Sequence, residues 1–189
     1  KNIFEHLGMK STFILENPNR IVKNSATGYK PTSDSTYEKQ HYYNIAIGGD
    51  GQVYTTLEDL LLWDNNFDEK KVGGQALFDR QHEQGILNNG ETIEYAGGLF
   101  IQENKGQYVV QHTGSWGGFR TVFYRIPSLK KTLVVLANCP DFLTGPKFFA
   151  LIDLMIPEKK ENQKNRDMAP SNVTAPLATM ALQKYTGIY

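Results

Sequence analysis

The segment 108–138, YVVQHTGSWGGFRTVFYRIPSLKKTLVVLAN, decides the predicted fold. It contains β-rich runs at 108–111, 119–125 and 132–138, which are separated by a glycine-rich connection and by a Pro-Ser-Leu-Lys connection. Runs of β-branched and aromatic residues between turn residues are typical of strands that pair with their neighbours along the chain. The segment therefore predicts an antiparallel meander.

The first connection begins with His112-Thr113-Gly114-Ser115 and continues with Trp-Gly-Gly at 116–118. A hairpin needs one glycine at most, so the extra glycines predict a backbone that approaches either a neighbouring strand or a ligand. Uncovered N–H groups at a strand end can stabilise an oxyanion, while His112 adds a titratable donor and Thr113 and Ser115 add hydroxyls. A glycine-rich bulge with a satisfied surface histidine explains the spacing equally well.

Around this connection the sequence resembles the C-terminal part of the serine β-lactamase-like family. The resemblance consists of His-Thr-Gly, Gly-Gly-Phe at 117–119, an aromatic strand ending in proline, a basic turn and Val-Val-Leu-Ala-Asn at 134–138. Three earlier stretches are similar to further family segments: Leu-Gly-Met at 7–9, Ala-x-Gly-Tyr at 26–29, and 47–63. The family includes class C β-lactamases, penicillin-binding DD-peptidases, D-aminopeptidases and related esterases.

The resemblance implies roles for four residues. His112, Thr113 and Gly114 would form the family's third motif, Lys-Thr-Gly or His-x-Gly, on a strand that edges the active site. The backbone N–H of Ser115 would be one half of the oxyanion hole. Histidine in place of the usual lysine favours esterase-like or D-aminopeptidase-like members, because a mostly neutral imidazole attracts a substrate carboxylate less than an ammonium group does.

The nucleophile that this chemistry needs is missing from the pattern. Acyl transfer in the family requires Ser-x-x-Lys on a helix and a Tyr or Ser of a second motif. Ser128 and Lys131 match Ser-x-x-Lys, but Pro127 and the flanking strands predict a tight turn there. Tyr42 and Asn44 match Tyr-x-Asn, yet they follow the Leu-Gly-Met signature instead of preceding it. We therefore expect a C-terminal fragment of the parent enzyme that is inactive alone.

The predicted elements together give an α+β fold, and the resemblance implies that it is part of a β-lactamase/transpeptidase-like fold. Residues 1–90 are expected to form a partial lobe of helices and loops. Residues 91–157 are expected to form the antiparallel sheet with a C-terminal packing helix. Residues 158–189 are expected to begin with a charged linker, and the resemblance implies that they end in the truncated start of an appended β-domain.

One helix of the first lobe has clear local signals. Thr55 or Thr56 is a suitable N-cap, because a hydroxyl there can accept from a free N–H of the first turn. Leu57, Leu60 and Leu61 follow at helical spacing and predict an apolar stripe that faces the core.

Local patterns add four smaller predictions. Residues 13–40 lack periodicity and predict a surface loop, whereas 94–101 predict a strand that opens the sheet. His82 is expected on the surface, within a polar helical region. Cys139 follows an apolar strand and is expected to be a small core residue.

Composition and motifs argue against several classes of function. Twenty basic and twenty acidic residues cancel without a basic stripe, which argues against nucleic acid or an anionic membrane surface as a partner. No run approaches the roughly 18 apolar residues of a membrane span, and no signal peptide is visible. The four scattered histidines, the single cysteine and the lack of a phosphate-binding loop predict neither a metal nor a cofactor.

The resemblance thus implies that the intact protein is a serine hydrolase that forms an acyl-enzyme with a peptide, ester or lactam substrate. The alternative is a non-catalytic penicillin-binding-like binder or sensor, and the upstream sequence would separate the two. By resemblance, we expect a location outside the cytoplasm, in the bacterial cell envelope. Residues 132–138 are expected to present an unpaired apolar edge through which the chain self-associates.

Overall fold

The computed structural model describes residues 2–17, 19–33, 35–40, 51–143 and 146–156. The expectations for 41–50 and for 157–189, including the Tyr-x-Asn match, concern residues outside these ranges. The helices are α1 (Phe4–Leu7), α2 (Leu57–Glu69), α3 (Gly74–Gln81) and α4 (Pro146–Met155). The strands are β1 (Phe13–Ile14), β2 (Tyr29–Pro31), β3 (Tyr37–Lys39), β4 (Val53–Tyr54), β5 (Phe100–Asn104), β6 (Gln107–Trp116), β7 (Phe119–Ile126) and β8 (Lys131–Ala137).

The central element is an antiparallel sheet with the strand order β5-β6-β7-β8. Its last three strands are those predicted from the segment 108–138, so the antiparallel meander and the α+β fold class are confirmed. The pairs β1–β4 and β2–β3 form two small separate sheets. Short turns join neighbouring strands of the main sheet, which is why the chain order and the spatial order agree.

Strand β6 extends further than predicted. It continues to Trp116, which pairs with Phe119 across a two-residue turn. The turn residues Gly117 and Gly118 have φ values of 57° and 81°, and such paired positive values give a hairpin turn that matches the twist of its strands. The prediction that 112–116 form a connection is therefore wrong, because the glycine pair alone makes the turn.

Both faces of the sheet are packed. Val109 and Ile126 are fully buried on one face, where they contact Ile152 of α4, so the predicted packing helix is confirmed. On the other face, the fully buried Val110 belongs to a cluster with Phe67 of α2. Each such buried side chain contributes about 1.5–3 kcal/mol relative to an exposed one. The sheet is therefore the middle layer between α4 and the α2–α3 pair.

A buried ion network joins α2 to the sheet. Arg125 on β7 is 4% exposed, and its two terminal nitrogens lie 2.5 Å from carboxylate oxygens of Asp64 and Asp68. Asp64 also accepts a hydrogen bond of 2.8 Å from the Thr132 hydroxyl. Burial alone would lower the pKa of Arg125, but the hydrogen bonds to Asp68 and Asp64 raise the pKa above its ordinary value. The guanidinium therefore stays charged, and the two carboxylates balance its buried charge.

Helix α2 begins where predicted but buries a different face. Thr56 is the N-cap, and its hydroxyl accepts from the N–H of Asp59 at 3.3 Å. Leu57 and Leu61 are 49% and 58% exposed, so the predicted apolar stripe is wrong at these positions. Asp59 is buried instead, because its carboxylate accepts from the Thr12 hydroxyl at 2.7 Å. A hydrogen-bonded polar side chain thus lies on the inner face of α2, where the spacing of apolar residues predicted leucines.

Two predicted segments have different bounds. Residues 13–40 contain the short strands β1, β2 and β3 instead of an unstructured loop. The predicted strand at 94–101 begins only at Phe100. Before it, the Ala96 N–H donates to the Leu99 carbonyl at 2.8 Å and closes a turn. The Gly-Gly pair between these two residues allows the backbone to adopt this turn, since glycine tolerates the positive φ of 80° found at Gly98.

Two single-residue predictions are corrected as well. His82 is half-buried, since its ring packs against Phe67 and Phe78 and its Nδ1 lies 2.7 Å from the Phe78 carbonyl oxygen. Cys139 is also half-buried and does not belong to the core. It follows the end of β8, where the chain leaves the sheet, and this explains why an apolar neighbourhood in sequence did not bury it.

Candidate functional site

The last part of β6 carries the four candidate residues His112, Thr113, Gly114 and Ser115. Successive strand side chains point to opposite faces. His112 and Gly114 therefore lie on the face that packs against α2 and α3, whereas Thr113 and Ser115 lie on the face of α4. Thr113 and Ser115 are exposed and His112 is half-buried, so this end of the strand is accessible from outside.

Beside these residues β6 has an open edge in the described part of the chain. Strand β5 pairs with β6 only as far as Phe100, which lies opposite Gln111. On the other side, hydrogen-bonded pairs alternate along the hairpin from Trp116 opposite Phe119, so the N–H of Ser115 points away from β7. The Ser115 N–H therefore projects from the open edge, beyond the end of β5.

The imidazole of His112 is held by two hydrogen bonds. Its Nδ1 lies 2.7 Å from the Thr113 carbonyl oxygen, and its Nε2 lies 3.1 Å from the Tyr95 hydroxyl oxygen. A carbonyl can only accept, so Nδ1 carries a hydrogen. Sequence reasoning missed Tyr95, which it treated as a strand residue. The available signal was an aromatic residue directly before the Ala-Gly-Gly turn at 96–98.

The glycines around the candidate residues allow close approach to neighbouring strands. A Cβ atom at Gly114 would overlap the hydroxyl oxygen of Thr121, which lies opposite on β7. A Cβ atom at Gly28, directly before β2, would overlap the carbonyl oxygen of Gly117. A Cβ atom at Gly118 would overlap backbone atoms of Tyr29 in β2, so of the two explanations offered for the glycines, contact with a neighbouring strand accounts for Gly114 and Gly118. No local pattern indicated that the 26–29 segment reaches this turn.

Ser128 and Lys131 do not form a nucleophile pair. Ser128 lies in a short 3₁₀ turn and donates to the Gln107 side chain at 2.6 Å. The Lys131 ammonium donates to the Met155 carbonyl at 2.9 Å. The two side chains thus have separate partners, as expected for a serine and a lysine in a tight turn after Pro127.

Two cavities of about 310 Å³ and 320 Å³ lie elsewhere on the molecule. The first is lined by Gln84, Glu94, Ile101, Gln102, Glu103 and Tyr108. The second lies between α2, α3 and the sheet, and Phe67, Phe78, His82 and Arg125 are among its lining residues. Within the described ranges, no three His, Cys, Asp or Glu side chains are grouped so that they could hold a metal ion. The candidate residues therefore lie on an open strand edge, outside both cavities.

The fold defines the class of protein. A penicillin-binding protein from Bacillus halodurans, known from a crystal structure, superposes with a TM-score of 0.65 at 19% identity, over 82% of this chain and 48% of that one. At this identity the likeness shows the fold alone, which is the predicted β-lactamase/transpeptidase-like fold.

A family model described as Beta-lactamase matches residues 1–147, and the chain belongs to this family. The predicted membership in the serine β-lactamase-like family is thereby confirmed. Penicillin-binding protein 4* of Bacillus subtilis (strain 168) is 32% identical over 151 residues, covering 72% of this chain and 33% of the relative. A D-aminopeptidase of Gluconobacter oxydans (strain 621H) is 26% identical over 137 residues, covering 72% of this chain and 26% of the relative.

The chain thus spans about a quarter to a third of the length of these curated relatives. By this family relationship the chain is β-lactamase-related and penicillin-binding-protein-like. None of the helices within the described ranges combines the length and the apolar character that crossing a bilayer requires.

Proposed function

We propose that this chain supplies the oxyanion strand of a serine hydrolase that forms an acyl-enzyme with a peptide, ester or lactam. The nucleophilic serine and its lysine come from a part of the protein outside these 189 residues, so the chain alone is inactive. His112, Thr113 and Gly114 act as the third motif at the edge of the site. Ser115 donates its backbone N–H to the oxygen on which negative charge develops.

The direction of the Ser115 N–H carries this proposal. Strand β5 ends opposite Gln111, four residues before Ser115 on β6, so no described strand takes up this donor. A backbone N–H on a rigid strand is preorganised, because it does not have to turn toward the oxyanion during the reaction. The exposed Thr113 and Ser115 leave room beside the strand for a substrate.

His112 favours ester and amide substrates over a penicillin. Its Nδ1 hydrogen is directed at the Thr113 carbonyl, so a neutral His112 has no second N–H with which to bind a carboxylate. A lysine at the same place would offer three donors and a full charge. The D-aminopeptidase relative supports an amide substrate, and the histidine supports esterases equally.

The test compares two substitutions of Ser115 in the longest native protein that contains this chain. Ser115→Pro removes the N–H, whereas Ser115→Ala keeps the N–H and removes only the hydroxyl. Because this N–H points away from β7, proline costs no hydrogen bond of the ladder. We expect Ser115→Pro to lower kcat on a nitrophenyl ester or a D-alanyl nitroanilide about 10²–10³-fold, while Ser115→Ala keeps most of the activity.

Matched unfolding midpoints would show that both variants fold alike. Equal activity of Ser115→Pro and Ser115→Ala would overturn the oxyanion role. The 189-residue chain serves as the second control, and turnover by it that Ser128→Ala abolishes would contradict the missing nucleophile. A longer protein that retains a fluorescent penicillin without turnover would instead support the non-catalytic binder.

The proposal includes a location and an association. We place the intact protein outside the cytoplasm, in the cell envelope, by its resemblance to the family.

Strand β8 ends the described sheet, and the N–H groups of Thr132, Val134 and Leu136 point away from β7. A second copy of the chain can pair with this edge. Light scattering should then show a mass that rises with concentration, and a strict monomer at high concentration would contradict it.

A further inference from the structure

Tyr95 and His112 form a side-chain pair at the open edge of β6. The Tyr95 hydroxyl oxygen lies 3.1 Å from His112 Nε2, and the opposite ring nitrogen, Nδ1, is bonded to the Thr113 carbonyl. A ring with its hydrogen on Nδ1 has an acceptor at Nε2 when it is neutral. The hydrogen of the Tyr95 hydroxyl must therefore point at His112 in the neutral pair.

The backbone holds Tyr95 in place. The N–H of Gly85 donates to the Tyr95 carbonyl at 2.9 Å, and the turn between Ala96 and Leu99 brings the chain back toward β5. The Tyr95 ring then meets the Phe100 ring edge-on, with 4.8 Å between their centroids. These contacts come from residues on both sides of Tyr95 in sequence. The hydroxyl is thus positioned by the fold and does not depend on a free side chain finding His112.

The pair presents one polar atom to a ligand. Both nitrogens of the neutral ring are occupied, and the hydrogen of the Tyr95 hydroxyl is directed at one of them. What remains is a lone pair on the hydroxyl oxygen of Tyr95, a residue that is 38% exposed. An atom of this kind accepts from an amino or amide N–H and repels a carboxylate. The open edge therefore combines an acceptor at Tyr95 with the N–H donor of Ser115.

We infer that Tyr95 is a positioning residue for His112 and that its oxygen selects substrates carrying an N–H group, such as a free amine, beside the bond that is cleaved. The selection of substrates rests on the proposed function. The fixed imidazole does not, because both hydrogen bonds belong to the chain itself. The two parts can be tested separately.

The first experiment uses the ¹⁵N-labelled 189-residue chain and needs no activity. At pH 8, NMR correlation through the imidazole ring should show one form of His112, with hydrogen on Nδ1 and with Nε2 as an acceptor. Tyr95→Phe keeps the ring contacts and removes the hydroxyl. We expect the Nε2 resonance to shift toward that of an unbonded acceptor and a signal of the Nε2–H form to emerge. Tyr108→Phe, which removes an exposed hydroxyl elsewhere, should change neither.

An identical His112 spectrum in the native chain and in Tyr95→Phe would overturn the positioning role. The second experiment measures KM in the longer protein for two substrates, one with a free amino group and one with hydrogen in place of that group. Tyr95→Phe should raise KM for the amine about threefold to tenfold and leave KM for the substrate without the amino group unchanged. Equal changes for both would overturn the selection. Absence of all turnover in the unmodified longer protein would sink the proposed function while leaving the NMR result standing.

Discussion

The two halves of β6 differ although they belong to one continuous strand. The first half, up to Gln111, pairs with β5 on one side and β7 on the other, and Val109 and Val110 within it are fully buried. Among the described strands, the second half, from His112 to Trp116, pairs only with β7, and three of its five side chains are exposed. The difference arises where β5 stops, since the ladder to β7 continues unchanged.

This contrast shows how one strand can serve stability and chemistry at once. The buried half fixes the direction of the backbone through a double ladder and a core on both faces. The open half continues in the same direction, and its outer N–H groups are not bonded to a second described strand. A donor aimed at a ligand is rigid here because the neighbouring residues are packed. Substitutions should therefore cost more stability at the buried side chains of the first half than at the exposed side chains of the second.

The largest effect on stability is expected from Asp64→Ala, which acts on the buried half. Asp64 accepts from Arg125, the partner of Val110 across the ladder, and from Thr132. Its loss leaves a buried guanidinium with one carboxylate and should lower the free energy of unfolding by about 3 kcal/mol. Urea unfolding followed by circular dichroism measures this.

The matched control is Asp68→Ala. Asp68 contacts the same guanidinium, but its side chain is 69% exposed, so its loss should cost under about 1 kcal/mol. Equal losses for the two variants would mean that burial does not decide the strength of this network. The contrast between the two halves would then lose its energetic basis.

A smaller effect is expected from Gly28→Ala, which acts next to the open half. The added methyl group would overlap the Gly117 carbonyl oxygen and push β2 away from the turn that follows β6. Such overpacking costs about 1–3 kcal/mol. Gly51→Ala is the control, since nothing lies within 4 Å of a Cβ atom there. The thermal unfolding midpoint of Gly51→Ala should be higher than that of Gly28→Ala. A reversed order would show that the turn can move to accommodate the added methyl group.

Much of the sheet could be predicted, since strands and turns are local. The alternation of β-branched residues with Gly-Gly and with Pro-Ser-Leu-Lys marked β6, β7 and β8, and Thr56 marked the start of α2. The predicted apolar stripe of α2 was wrong because the spacing of leucines carries no information about tertiary contacts. The hydroxyl donor that allows Asp59 to be buried is Thr12, which lies far away in sequence. The end of β6 was wrong because a glycine-rich run does not say which of its glycines make the turn.

The sequence by itself determined the meander, the family and the identity of the His-Thr-Gly-Ser motif at 112–115, since each depends on residues adjacent along the chain. Only the tertiary structure decided that β5 stops short of Ser115, that Tyr95 meets His112 across 17 positions and that Gly28 lies against Gly117. These contacts join segments whose separation in sequence carries no local signal. They form because packing of the whole sheet and its helices brings the segments together, and no short window of residues contains that information.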